Sequence, residues 1–161
     1  MTSLKIRGVR TFCQIVAASV LLAFCASRVG SESRHPGIIV ELNPEKPLCL
    51  RVTLRSGADH AATIFRSELP WGYRYSMVFV AVGPNGQPID MELPVEDPVA
   101  EKVSLSPGAS LTGEVDLARI ISDVNRVTKQ SEVHLFWAYK SPRELCMPRW
   151  SSGWVLIPQQ K

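Results

Sequence analysis

Apolar residues recurring at every second position are the feature that most restricts this chain, because a period of two places them on one face of a β-strand. Val133, Leu135, Trp137 and Tyr139 alternate with His134, Phe136, Ala138 and Lys140. Ile38, Val40 and Leu42 repeat the pattern in GIIVEL. Leu48, Leu50, Val52 and Leu54 repeat it again, with Cys49, Arg51, Thr53 and Arg55 turned the other way. Ala61 to Phe65 is a weaker strand, and Tyr73 to Val82 (YRYSMVFVAV) is apolar on both faces, as expected near the centre of a sheet. Gly83-Pro84-Asn85-Gly86 reads as a turn, since proline presets φ and glycine accepts positive φ, so Ile89, Met91 and Leu93 are expected to return as a partner strand. After the charged loop at 94–98 come Val103 and Leu105, the turn Ser106-Pro107-Gly108, and Leu111 to Val115, which together predict another hairpin.

One segment breaks the period. Leu117, Ile120, Ile121, Val124 and Val127 follow helical spacing behind Asp116, a residue type that caps helix N-termini, and predict a single short helix packed on the core. The last apolar run is Trp154 to Ile157, and Ser141 to Gly153 reads as a loop with Cys146 in its middle. Seven or eight short strands separated by Gly, Pro and Asn turns predict an all-β antiparallel sandwich with one short crossing helix. A parallel α/β sheet has no support in this pattern.

The N-terminus reads separately. Lys5, Arg7 and Arg10 precede an apolar run from Ile15 to Phe24 that is shorter than the roughly 20 residues needed to span a bilayer. This predicts a signal peptide over residues 1–31, cut within about 25–31, followed by a single domain over 32–161 with no integral membrane span. The protein is therefore expected to be secreted or periplasmic. Lipid attachment at Cys25 is disfavoured by the bulky Phe24 before it. Eighteen Lys and Arg against fifteen Asp and Glu give a formal charge of +3, but four of those cations lie ahead of the first acid, Glu32. From Glu32 onward fourteen cations face fifteen acids, a near balance that offers nucleic acid no electrostatic footprint.

Export also changes what the thiols mean. With Cys13 inside the leader and Cys25 at its end, two cysteines remain, Cys49 and Cys146, and an oxidising compartment predicts a disulfide between them. Closing a loop of roughly 100 residues is worth about 4.7 kcal/mol in the chain-entropy model.

At the level of architecture the chain resembles small immunoglobulin-like domains of exported bacterial proteins. Trp137 on a late alternating strand, the Pro-Gly turn opening Leu111-Thr112-Gly113-Glu114-Val115-Asp116-Leu117, and the short crossing helix carry the likeness over about residues 37–158. No Asn-Xaa-Ser/Thr site occurs, which fits a bacterial source. Asn43-Pro44 and Pro148-Arg149-Trp150 approximate two loop elements of chagasin-like cysteine-protease inhibitors, whose glycine-rich middle loop is missing here.

The chain offers no residue pattern for a catalytic role. Neither GxSxG, GxxxxGK, HExxH nor CxxC is present, so no cofactor is expected. Asp59-His60 is a polar pair without a nucleophile motif, and the acidic run of Asp90, Glu92, Glu96, Asp97 and Glu101 lacks the ligand order of a calcium loop, so no metal is expected. Aromatic rings with arginine are what interfaces favour, and they concentrate at Trp71 and Tyr73 and again at Arg149 and Trp150. The sequence thus predicts a non-enzymatic exported domain that binds a protein, peptide or envelope partner through these loop-end rings, with Trp137 in the core. The alternatives are a chagasin-like inhibitor and a small secreted hydrolase.

Overall fold

The computed structural model describes residues 35–72, 76–92 and 100–160. The expected signal peptide over residues 1–31 with Cys25, the binding candidate Tyr73, the return position Leu93 and the acids Glu96 and Asp97 lie outside the described residues. Nine strands and one short helix make up the described chain: β1 (Gly37–Asn43), β2 (Lys46–Arg55), β3 (Ala62–Phe65), β4 (Met77–Val82), β5 (Pro88–Ile89), β6 (Lys102–Leu105), β7 (Ser110–Asp116), α1 (Val124–Gln130), β8 (Val133–Lys140) and β9 (Trp150–Ile157). All pairings between these strands are antiparallel. One sheet runs β1-β2-β7, a second runs β5-β4-β8-β9, and β3 with β6 forms a two-stranded ribbon. The fold is an all-β antiparallel sandwich with one short helix.

The alternating residues do what their period requires. Leu50, Val52 and Leu54 of β2 point inward to meet Met77, Phe79 and Ala81 of β4 and Leu135, Trp137 and Tyr139 of β8 in one buried cluster. Tyr139 is fully buried, and its hydroxyl donates to the Glu68 carbonyl at 2.8 Å, which satisfies the polar end of an otherwise apolar side chain. Burial also pushes that phenol well above its ordinary pKa.

Three expectations are corrected by the tertiary structure. The turn at Ser106-Pro107-Gly108 forms, with the Ala109 amide donating to Ser106 at 3.0 Å and Gly108 at φ 64°, but β6 and β7 are not a hairpin. β6 pairs with β3 and β7 pairs with β2. The reason lies in the neighbouring connection: the Ser56 amide donates to Ala109 at 3.0 Å and the Gly108 amide to Ala58 at 3.3 Å. The two connections bend together and carry one ladder from the β2/β7 pair into the β3/β6 pair, a corner of the kind strands make when they change sheet.

The helical stripe is split as well. Asp116 caps a single 3-10 turn at Leu117–Arg119, its carboxylate accepting from the Ala118 amide at 3.0 Å. Ahead of α1 the chain is then diverted, because Glu92 donates to Ile120 and Ser122 donates to Asp90, both at 2.9 Å, while Met91 bridges Ile121. Asp123 takes a left-handed φ of 58° at the break. Leu117, Ile120, Ile121 and Val124 remain buried, so the packing face survives the loss of the continuous helix. Finally, the strand expected at Trp154 begins at Trp150, since pairing with β8 runs from Lys140 opposite Trp150 to Val133 opposite Ile157. Ser151, Ser152 and Gly153 carry no alternation that would reveal this in sequence.

Candidate functional site

The outer face of the four-stranded sheet is apolar. Successive strand residues point to opposite faces, so the same register that buries Phe79 and Trp137 turns Val78 and Val80 outward on β4, Phe136 and Ala138 outward on β8, and Trp150, Trp154 and Leu156 outward on β9. Val80, Phe136 and Trp154 form one cross-strand row, with the Phe136 and Trp154 rings 5.3 Å apart at 58°. Val78, Ala138 and Ser152 form the next row. Trp154 is 65% exposed, Trp150 59% and Val78 54%. At the rim the Lys140 ammonium stands 5.7 Å over the Trp150 ring, and His134 lies between Val82 and Leu156. No carboxylate occupies an outward position of β4, β8 or β9. Five of the seven large hydrophobic residues that stand exposed among the described residues, Val78, Val80, Trp150, Trp154 and Leu156, lie on this one face.

A concavity of about 620 Å³ opens elsewhere, where the start of β2 meets the end of β7, α1 and Gln160. Leu48, Cys49 and Thr128 line it below a charged rim. There Lys46 pairs with Glu114 at 2.6 Å, and the buried Asn43 amide donates to the other Glu114 oxygen at 2.8 Å. The Lys46 ammonium holds the Glu114 carboxyl below its ordinary pKa, whereas burial pushes the Cys49 thiol up. A thiol kept protonated is a small apolar lining group rather than a nucleophile. No histidine lines this cleft. His60 pairs with Asp59 at 2.7 Å in an exposed loop, and His134 stands 3.6 Å from Glu132. Among the described residues, no group of three His, Cys, Asp or Glu is placed to hold a metal ion.

The residues singled out in the sequence do not assemble into one site. Trp150 is exposed, but it stands on β9 and not in a loop. Arg149 serves the approach to that strand: its guanidinium donates to the Ser141 carbonyl, and its own carbonyl accepts from the Ser141 amide at 3.0 Å. Trp71 lies elsewhere, half-buried against the core with its indole on the Cα of Gly113 in β7. Asn43-Pro44 and the loop before Trp150 flank opposite ends of β2. The first turns into its Lys46 end, and Leu145 accepts from Gly57 at 2.8 Å just past its Arg55 end. The residues that sequence reasoning missed are Trp154, Val78, Val80, Phe136 and Leu156. Their signal was present, since YRYSMVFVAV and the Phe136 side of β8 put apolar groups on the face opposite the core.

The expected disulfide is corrected too: Cys49 and Cys146 are both free thiols. Cys49 sits near the start of β2, while the Cys146 carbonyl lies against Gly57, beyond that strand's other end. The stretch from Cys49 to Arg55 alone covers about 20 Å at the rise of a strand. A bridge needs Cα atoms within about 7 Å. Native protein should therefore alkylate rapidly at the exposed Cys146 and slowly at the buried, protonated Cys49, with both titrating at once in denaturant. A linked 49–146 peptide in a non-reducing map would contradict this.

Among the described residues no helix is long and apolar enough to cross a membrane. No family model matches the chain, and no curated protein matches it.

Proposed function

We propose that this chain is an exported, non-enzymatic binding domain of immunoglobulin-like type, and that it makes its contact through the outer face of β4, β8 and β9. One observation carries the reading: a row of solvent-facing rings and valines on a sheet whose other face already fills the core. Apolar surface of this extent, rimmed by polar groups, is what protein interaction sites expose. The partner suited to it is a protein surface, because the outward positions offer neither the charge that recruits nucleic acid nor convergent polar groups for a small polar ligand. Export follows from the basic, apolar leader, and the mature protein begins between about residues 26 and 32.

The protonated thiol and the exposed His60 weigh against a hydrolase. The distance between the Asn43 turn and the Trp150 approach weighs against an inhibitor that wedges both loops into one cleft.

A photo-reactive amino acid at position 154, introduced into the full chain in the cell that makes it, tests the reading. The expected result is a covalent adduct with another polypeptide in the exported fraction, and mass spectrometry of the same material reports the mature N-terminus. Irradiated protein that stays free at position 154 would show that the face is idle.

A further inference from the structure

We infer that the protein occupying this face is a second copy of the chain, packed face to face about a two-fold axis that runs along β8 between the two sheets. The inference rests on the contact surface proposed above. Three observations favour self-association over a foreign partner. The first is self-complementarity, which an isologous interface demands. The face has a raised side and a low side: the indoles of Trp150 and Trp154 on β9, and the short side chains of Val78 and Val80 on β4. β8 separates them, paired to both, so β4 and β9 lie roughly 10 Å apart. A two-fold axis along β8 exchanges the two sides and sets Trp154 of each copy over Val80 of the other, in the row that Phe136 already occupies.

The second observation is charge. Lys140 and His134 are the only titratable groups at outward positions of β4, β8 and β9, and Glu132 lies near His134. A foreign partner chosen by charge would have little to read. Interfaces between identical chains are more apolar than transient ones. The third is the layout of the face. Five large apolar side chains, Val78, Val80, Trp150, Trp154 and Leu156, stand 42–65% exposed on this one face, with Ser152, Lys140, His134 and the hollow at Val82, Gly83, Pro84 and Gly86 around them, which is the apolar centre and polar rim of an interface. The axis sets Lys140 opposite its own copy, but at the rim, where its ammonium stands over the Trp150 ring and solvent screens the pair.

Sedimentation equilibrium of the mature chain across micromolar concentrations is the test. Wild type should have twice the mass of the monomer. Trp154→Glu and Val80→Lys should each halve it, both at exposed positions where the fold tolerates charge, with unchanged circular dichroism. Because the axis sets position 154 of one copy over position 80 of the other, an equimolar mixture of W154E and V80K should regain the dimer mass. A wild-type monomer, or a mixture that fails to pair, overturns the inference. The contact-surface reading fails separately: a monomer that still cross-links a different protein from position 154 refutes self-association alone, and one that cross-links nothing refutes both.

Discussion

Replacing Trp137 by alanine should lower the unfolding free energy by about 3–5 kcal/mol, the cost of removing a buried indole and leaving its cavity. The ring is 7% exposed and projects from the middle of β8 into the shared core. On its β9 side it lies over Gly153, where an added Cβ would come within 3.0 Å of the indole. The indole packs on the Gly153 backbone, which the β8–β9 ladder holds in place opposite Trp137, so little can move in to fill the space when the ring is lost. For a domain whose total stability is on the order of 5–15 kcal/mol, the loss is a large fraction, and the melting temperature should fall by about 15 °C. Thermal unfolding followed by circular dichroism measures it. Alanine at Trp154, exposed on the opposite face of the same sheet, supplies the contrast and should change the monomer's melting temperature by only a few degrees. Equal losses at the two positions would mean that the outer face is not free.

Trp71 should behave as a structural residue, contrary to what its place in an aromatic-rich loop suggests. Alanine there should cost about 2–3 kcal/mol, less than at Trp137 because the ring is only partly buried. The indole closes the open side of the sandwich over Gly113, which lies on the inward face of β7 opposite Val52. Gly113→Val should reproduce much of the loss by expelling the ring, since the new side chain would occupy the space of the indole. Chemical denaturation with tryptophan fluorescence reads both variants. A Trp71→Ala protein as stable as wild type, with Gly113→Val unstable on its own account, would show that the contact contributes nothing.

Periodicity alone marks most of the strands and which of their faces is buried, although the start of β9 at Trp150 escapes it. A period of two is a local property, and it marks Leu50, Val52 and Leu54, or Leu135, Trp137 and Tyr139, as one side of a ribbon whatever lies beyond it. Turn chemistry was legible for the same reason. Gly86 and Gly108 carry φ of 71° and 64° where the sequence placed them, because those geometries depend on a few adjacent residues. Distant hydrogen bonds decided the rest. Ser56 to Ala109 and Gly57 to Leu145 choose which strands meet at the corner, and Glu92 and Ser122 interrupt a stripe that would otherwise continue as helix. Covering was also decided in three dimensions. Cys49, on the polar side of its strand, is buried where α1 and Gln160 border the cleft beside it, whereas Val78 and Val80, on a strand apolar on both sides, stay in solvent. Periodicity tells which residues share a face, but only tertiary packing tells what lies against that face, because burial depends on the neighbour and not on the strand itself.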